Sequence, residues 1–221
     1  MVIEEYLESA AYPGRILVGG TLGNGKPFAL YAITGRSERS RNRVIRRKGS
    51  SVVTELYDRS GDADDLLIYS LCMEDDSCRV LANGSHADSV FSSVRTGRSL
   101  FEAMEGLSYE PDELSTPRIA LSEDLRSGEY ELGIVRRSAD GRPERVTWSY
   151  KNTPGFGHII STYNGSVDNP EAFSTDPAVI SLGESASDFI DRLYGNLRHE
   201  YRVALYACYE GAERIINELG N

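Results

Sequence analysis

The 221-residue sequence has few of the residues that build cross-links or metal sites. It contains three cysteines and three histidines, and neither set has the spacing of a zinc site. The cysteines are odd in number and lie in apolar, strand-like surroundings. We therefore predict buried free thiols in a reducing cytoplasm, with no structural metal. The cysteines are Cys72, Cys78 and Cys208.

Long apolar runs and targeting signals are also missing. The first residues, Met-Val-Ile-Glu-Glu, are acidic and have neither a basic start nor an apolar core, so we expect no leader. No window has the length that a membrane-spanning helix requires. The net charge is −10, which disfavours general binding to nucleic acid or to anionic membranes.

The residues of two common catalytic motifs are absent. Val2 follows Met1, so there is no N-terminal nucleophile, and no serine or cysteine lies in a nucleophile elbow. The segment from Gly20 to Lys26 has P-loop spacing, but Pro27 stands where a serine or threonine is required. A strand-like segment follows where a P-loop needs a helix, so we interpret the motif as a hairpin turn. Acid–base chemistry by carboxylate and phenol remains open.

What the sequence does contain is a series of short apolar segments between turn signals. Asn24-Gly25 indicates a hairpin between the first two. Strands dominate and connections are short, so most pairings should be antiparallel. The predicted strands are 15–19, 28–34, 66–72, 79–82, 130–135, 145–150, 158–163 and 201–208.

Helical spacing is less frequent and occurs in three places, at about 86–105, 185–194 and 211–219. Ser85 is expected to cap the first helix, and Gly97 followed by Ser99 should end it and cap another. Hydrophobic residues make up 40% of the chain, enough for a sizeable core. We predict an α+β fold with helices on the outer faces of packed sheets, as a single domain over residues 1–221.

The loop 108–120 concentrates polar groups between two prolines. Pro111 and Pro117 fix the backbone and make the loop a stiff connector that projects acids and a cation at set angles. Ordered polar loops of this kind often carry function. The alternative is a capped helix entry whose acids only solvate the surface.

The segment Arg36–Lys48 holds seven cations and the single acid Glu38. Guanidinium groups match the oxygens of phosphate, which favours a phosphorylated small molecule. A basic arm for nucleic acid and a solvated loop are the alternatives. The third polar segment, Asn83–Asp88, follows a strand and opens a helix whose free N–H groups could hold an anion. There we expect His86 to be a structural hydrogen-bonding residue.

Taken in order, several segments resemble the archaeal-type IMP cyclohydrolase family. The resemblance implies a four-layer αββα sandwich of mainly antiparallel sheets, similar to N-terminal-nucleophile hydrolases but without their nucleophile. It also implies closure of 5-formamidoimidazole-4-carboxamide ribonucleotide to inosine monophosphate with loss of water, without metal or cofactor. The matching segments are Tyr12-Pro-Gly-Arg-Ile-Leu-Val, Gly35-Arg-Ser with Asn42-Arg43, Ile68-Tyr69, Leu81 to Asp88, Tyr109 to Ala120 and Ile160 to Tyr163.

Site residues follow from the same resemblance. Tyr69 and Glu110 are expected at the reacting heterocycle, where they transfer protons or polarise the formyl oxygen. Arg43 is expected to bind the substrate at its phosphate. The segment that ends at Arg43 is two residues longer than the family pattern, so Arg39 and Arg41 remain alternatives.

Two further residues, Asn83 and Arg118, are candidates for substrate contacts or for holding the loop. The leading interpretation is an enzyme that binds a purine nucleotide and neither nucleic acid nor membrane. A purine-nucleotide-binding protein on the same fold, without turnover or with another specificity, is the second. A nucleic-acid binder using residues 36–48 is the third. The sequence does not determine the oligomeric state and is compatible with a homo-oligomer.

Overall fold

A computed structural model describes residues 1–60 and 65–220 of the chain. These residues form thirteen β-strands and five short α-helices, with single 3-10 turns at Asp65–Leu67 and His199–Tyr201. The helices are α1 (Ile3–Ser9), α2 (Glu38–Arg41), α3 (Ala87–Val94), α4 (Leu100–Ala103) and α5 (Ala186–Asn196).

The strands form two sheets in which all strand pairs are antiparallel. The six-stranded sheet has the order β11-β10-β1-β2-β12-β13, and its members are β1 (Arg15–Thr21), β2 (Pro27–Thr34), β10 (Phe156–Ser161), β11 (Ala178–Ser181), β12 (Arg202–Tyr209) and β13 (Ala212–Asn217). The seven-stranded sheet runs in chain order, and its members are β3 (Arg43–Lys48), β4 (Ser51–Leu56), β5 (Ser70–Glu74), β6 (Cys78–Ala82), β7 (Arg118–Asp124), β8 (Tyr130–Arg137) and β9 (Pro143–Tyr150). The predicted α+β fold with antiparallel sheets is confirmed.

Strand alternation divides the apolar residues among three cores. In β1, Ile16 and Val18 point to a cluster that includes residues of α1 and α5, whereas Leu17 points to a cluster shared by both sheets. This follows from the two-residue period of a strand, which sends neighbouring side chains to opposite faces. A third cluster joins the seven-stranded sheet to α3 and α4. The helices thus cover sheet faces, and the two sheets share the central core.

Two of the predicted turn and cap signals form as expected. Gly25 has a φ of +81°, and its N–H bonds to the carbonyl of Leu22 in the turn between β1 and β2. The P-loop-like segment is therefore a hairpin turn. Gly97 has a φ of +88° after α3, and the Ser99 hydroxyl accepts a hydrogen bond from the Glu102 N–H at the start of α4.

The predicted helix at 211–219 is wrong, because most of this segment forms β13 and pairs with β12. Glu210 and Gly211, with φ of +54° and +74°, make a two-residue turn between paired Tyr209 and Ala212. Two consecutive positive φ angles give the twist that hairpins favour.

Two smaller predictions also need correction. Ser85 does not cap α3, because His86 occupies the N-cap position and the Ala87 N–H bonds to the carbonyl of Gly84. The strand predicted from residue 66 begins only at Ser70, after the 3-10 turn.

An asparagine side chain connects the two sheets at one edge. The Asn217 side chain in β13 accepts a hydrogen bond from the Ile45 N–H (2.7 Å) and donates one to the Ile45 carbonyl (3.1 Å). Since Ile45 lies in β3, this pair of bonds joins edge strands of different sheets. In the described part of the chain, no helix is long and apolar enough to cross a membrane.

Candidate functional site

A cavity of about 290 Å³ lies where the start of β1, the α2 segment and the 110–116 loop meet. Its lining combines two arginines with acids, hydroxyls and two tyrosines, a composition suited to a polar ligand with an aromatic part. The polar lining residues are Tyr12, Arg15, Arg36, Ser37, Ser40, Glu110, Asp112, Glu113, Thr116 and Tyr163.

Glu110 is the buried acid of this cavity. Its side chain is almost inaccessible, and its Oε1 atom accepts no hydrogen bond from any described residue. We call a buried polar atom an open atom when it has no hydrogen-bond partner among the described residues. Burial raises the pKa of Glu110 to about 7, although the cations of Arg15, Arg118 and Arg43 act in the opposite direction. A carboxyl group with a pKa near neutrality can both accept and donate a proton at pH 7.

Two buried guanidinium groups lie near Glu110. Arg15 opens β1 and Arg43 opens β3, and both side chains are buried. The Arg43 Nε donates to the Ser40 carbonyl (2.8 Å), whereas both of its terminal nitrogens and the Arg15 Nε are open atoms. Burial and the nearby Arg15 charge lower the pKa of Arg43. Two buried cations with open donors make a site that a bound anion would stabilise.

A pair of phenols lies beside these arginines. The hydroxyl groups of Tyr31 and Tyr69 are 2.7 Å apart, and both rings are buried. Arg15 interacts electrostatically with Tyr69, Glu110 and Tyr31, and Arg43 interacts with both phenols. Burial raises the pKa of Tyr31 well above its usual value, so this phenol stays neutral. The structure therefore gathers Tyr69, Glu110 and Arg43 around Arg15.

The two predicted catalytic residues differ in their access to the cavity. Glu110 and Arg15 line it, whereas the described lining includes neither Tyr69 nor Arg43. Both of those residues are buried and interact electrostatically with Arg15. A ligand in the cavity would therefore meet Arg15 and Glu110 first.

Asn83 is placed to hold the loop. Its side-chain oxygen accepts from the Ile119 N–H (2.6 Å), and its side-chain nitrogen donates to the Pro117 carbonyl (3.0 Å). It is fully buried and fixes the chain where the loop enters β7. Of its two predicted roles, these contacts favour support of the loop.

Replacement of Asn83 by alanine is expected to lower the free energy of unfolding by about 2 kcal/mol, because a buried N–H and a buried carbonyl lose their partners. Urea denaturation of the variant would measure this loss. Asn169→Ala, at an exposed position, is the matched control and should change stability little. A raised KM with unchanged stability would instead give Asn83 a contact with substrate.

Arg118 lies at the loop end, next to Glu110. Its Nε donates to the Ser108 carbonyl (2.9 Å), and its Nη1 donates to the His86 Nδ1 (3.1 Å). Its charge acts on the Glu110 carboxyl. Arg118 also borders a second hollow of about 510 Å³ on the side of α3. Of its two predicted roles, a contact with substrate or support of the loop, the bond to the Ser108 carbonyl favours support of the loop.

The basic segment 36–48 is divided among several environments. Arg36 reaches the site cavity, whereas Arg39 and Arg41 line a different hollow of about 710 Å³. The cations at the end of β3 form ion pairs, as Lys48 does with Glu55. The segment therefore does not form one continuous basic arm, and neither alternative to Arg43 belongs to the described lining of the site cavity.

Several site residues were not predicted from the sequence. Thr116 Oγ1 and the Tyr163 hydroxyl are 2.6 Å apart, and the Thr116 N–H donates to an Asp112 carboxylate oxygen (2.7 Å). All three of these hydrogen-bonded residues line the cavity. Arg15 had a usable signal, because a charged residue opens a strand whose other members are apolar or small. Tyr31 had none, because it fits the apolar pattern of its strand.

Comparison with known proteins gives consistent matches. The model of a family described as IMP cyclohydrolase-like protein matches residues 12–214. The chain is similar to the IMP cyclohydrolase of Methanopyrus kandleri, with 31% identity over 72% of this chain and 78% of that protein. For the IMP cyclohydrolase of Methanocaldococcus jannaschii, the identity is 27% over 87% and 91%. For that of Halobacterium salinarum, it is 32% over 76% and 79%.

Proposed function

Because this chain belongs to the IMP cyclohydrolase-like family, we propose that it closes 5-formamidoimidazole-4-carboxamide ribonucleotide to inosine monophosphate in purine synthesis. The enzyme is thus a cyclohydrolase acting on a cyclic amidine. The observation that carries the proposal is the open, buried carboxyl of Glu110 beside the two buried guanidiniums of Arg15 and Arg43. This group offers one proton-exchanging acid and two cations to a ligand that has a phosphate and an exchangeable amide.

The reaction requires positioning and proton movement more than a nucleophile from the protein. The substrate's carboxamide nitrogen forms a bond to the formyl carbon, and the formyl oxygen leaves as water. That oxygen takes one proton from the carboxamide nitrogen and one from the formamide nitrogen. Both reacting groups lie on one imidazole, so a fixed rotamer supplies much of the rate. Glu110 takes the proton of the attacking nitrogen and returns a proton to the departing oxygen.

Tyr69 has the supporting role of polarising the formyl oxygen. Its hydroxyl is paired with that of Tyr31, whose pKa is raised, so Tyr31 accepts no charge and serves as a neutral partner. Because the buried Tyr69 is absent from the described lining of the cavity, this role requires a side-chain movement on binding.

The phosphate is held at the arginine side of the cavity. Arg15 and Arg36 line this side, and the buried Arg43, which interacts with Arg15, adds its charge. A phosphate monoester carries nearly two negative charges at neutral pH. It therefore balances two buried guanidiniums better than Glu110 does alone. Arg43 remains the predicted phosphate residue, and Arg39 and Arg41 are disfavoured because they line the other hollow.

The wider predictions have support of the same kind. The three cores agree with a four-layer αββα sandwich like that of N-terminal-nucleophile hydrolases. The shared central core favours a single domain over 1–221, although 61–64 and 221 lie outside the described residues.

All three cysteines are free and buried, which suits the cytoplasm. The net charge of −10 and the ion-paired end of β3 favour a partner other than nucleic acid. Sedimentation would test for a homo-oligomer.

The direct test is to mix the purified protein with the formamido nucleotide and follow the rise in ultraviolet absorbance as inosinate forms. We expect saturable turnover without added metal or cofactor. Saturable binding with no absorbance change would instead indicate a nucleotide-binding protein that has the same fold but no turnover. Affinity for nucleic acid that falls steeply with salt, without nucleotide binding, would overturn both.

Tyr69→Phe is expected to slow turnover by about tenfold or more, because the phenylalanine ring keeps the packing but loses the hydroxyl that is paired with Tyr31 and is proposed to polarise the formyl oxygen. Steady-state kinetics would show the loss mainly in kcat. Tyr57→Phe, at an exposed position, is the matched control. Full activity in Tyr69→Phe would remove this phenol from the mechanism.

A further inference from the structure

Three polar side chains meet over the missing side chain of Gly84. A methyl group placed on Gly84 would lie 2.8 Å from the Arg118 Nη1, 3.0 Å from the Glu110 Oε1 and 3.2 Å from the His86 Nδ1. The guanidinium and the carboxylate thus reach the same small space. The Glu110 Oε1 is nevertheless an open atom, since the nearby Arg118 nitrogen is bonded to His86 instead.

The bonding of His86 determines where its proton lies. The imidazole Nε2 is 3.2 Å from the Ile119 carbonyl, and because a carbonyl oxygen can only accept, Nε2 carries the hydrogen. The Nδ1 atom of the neutral ring then has a free lone pair, and this lone pair accepts the Arg118 N–H. Burial, followed by the Arg118 charge, lowers the pKa of His86 to about 3. The ring is therefore neutral throughout the physiological pH range.

A neutral acceptor has a particular effect on a cation. A carboxylate at the position of His86 would orient Arg118 equally well, but its negative charge would cancel the field of the guanidinium at Glu110. The imidazole orients the guanidinium and leaves its full charge in place. With the Ser108 carbonyl as the second anchor, Arg118 is held at two points, neither of which is the Glu110 carboxylate.

We propose that His86 is a positioning residue that holds the Arg118 guanidinium beside Glu110 but out of a direct hydrogen bond with it. Arg118 then stabilises the ionised carboxylate from a distance, and the Oε1 atom stays free of a bond to the guanidinium. If Arg118 bonded to Oε1, the carboxylate would be locked in its charged form and would return protons poorly. The inference rests on the proposed function, because it assigns His86 and Arg118 to the proton-transferring acid of that reaction.

Other charges also face Glu110 and set the background. Arg15 from β1 and Arg43 from β3 favour its ionised form, and Asp112 from its own loop disfavours it. None of these is bonded to His86 in the described structure. These three residues should therefore make the same contribution to the pKa of Glu110 in every variant at His86 or Arg118.

The test is to measure the protonation midpoint of Glu110 directly, by carbon-13 NMR of protein labelled at the glutamate carboxyl carbons. The Glu110 signal is assigned by its disappearance in Glu110→Gln. Arg118→Gln removes the cation and is expected to raise the midpoint by about one unit. His86→Leu releases the guanidinium to bond with Oε1 and is expected to lower the midpoint by about one unit. The two substitutions thus shift one signal in opposite directions.

Conservative and remote variants complete the design. His86→Asn places an amide oxygen near the position of Nδ1 and should keep the midpoint close to that of the unchanged protein. His199→Leu and Arg142→Gln alter exposed members of the same residue types and should leave it unchanged. The pH profile of kcat/KM should shift with the NMR midpoint in each variant.

Two results would overturn the inference. Midpoints that move together in His86→Leu and Arg118→Gln would show that both residues only support the local fold, and midpoints that stay constant would show no coupling to Glu110. Because the NMR titration needs no substrate, it reports on this positioning even in a protein without turnover. Turnover with constant midpoints would leave the proposed function intact and reject only the role of His86.

Discussion

Replacement of Glu110 by glutamine is expected to reduce kcat by about 10²–10⁴-fold at pH 7 while the protein stays folded. Glutamine keeps the shape of the side chain but cannot exchange a proton with the attacking nitrogen or the departing oxygen. Absorbance kinetics with the formamido nucleotide would measure the loss. Glu105→Gln, at an exposed position before the loop, is the matched control and should keep full activity.

The pH dependence supplies a second signature of the same substitution. Because burial raises the pKa of Glu110 to about 7, kcat/KM should change with a midpoint near pH 7, and this change should vanish in Glu110→Gln. A variant with the full rate and the same pH profile would exclude Glu110 from proton transfer. The search for the acid would then turn to Asp112, which lines the same cavity.

The stability of the fold should also depend on the ionisation of Glu110. A carboxyl whose folded pKa lies above its unfolded value stabilises the fold only while it is protonated. Relative to Glu110→Gln, the unchanged protein should therefore lose stability as pH rises from about 4.5 to about 7. The shift corresponds to about 3 kcal/mol. Urea denaturation of both proteins at pH 5 and pH 8 would reveal it, and an equal difference at both values would contradict the burial of an ionising group.

Arg43→Met is expected to make the protein more stable and a poorer binder of its substrate. The guanidinium is fully buried, and its two terminal nitrogens are open atoms, so the free protein bears a desolvated charge without full compensation. Replacing such a group by an apolar side chain of similar volume can raise the free energy of unfolding by about 1–4 kcal/mol. Thermal and urea denaturation would measure the gain.

The loss of binding should appear mainly in KM, which we expect to rise by about tenfold or more, since the attraction between the buried charge of Arg43 and the phosphate acts in both the ground and transition states. Arg46→Met, in the same strand but exposed, is the matched control and should change neither property strongly. Lower stability of Arg43→Met would mean that the guanidinium is compensated in the free protein. An unchanged KM would mean that Arg15 and Arg36 bind the phosphate without Arg43.

Much of the fold follows from local patterns in the sequence. Apolar runs separated by turn signals such as Asn24-Gly25 predict most of the strands and their antiparallel pairing. The C-terminal hairpin does not follow, because Ala212, Ile215 and Ile216 satisfy helical spacing. Its turn uses Glu210, a residue with no intrinsic preference for positive φ. Pairing with β12 decides the outcome, and local spacing does not encode contacts with another strand.

The site was predictable to the extent that its chemistry lies in unusual segments. Glu110 stands directly before Pro111 in the polar loop 108–120, and the family resemblance assigns Glu110, Tyr69 and Arg43 to the site. Arg15 and Tyr31 were not predicted, since each belongs to a strand that is otherwise typical of a core. Their positions depend on the packing of one sheet against the other, which no local pattern contains.

The side chain of Asn217 has a consequence for assembly. A strand at the border of a sheet is a template on which strands of other molecules can add. At Ile45, near the middle of β3, both main-chain groups are already occupied by this amide from the other sheet. A foreign strand would have to displace it before it could register along β3. The β3 edge of the seven-stranded sheet is thereby protected against fibril growth, and Asn217→Ala should increase fibril formation along this edge.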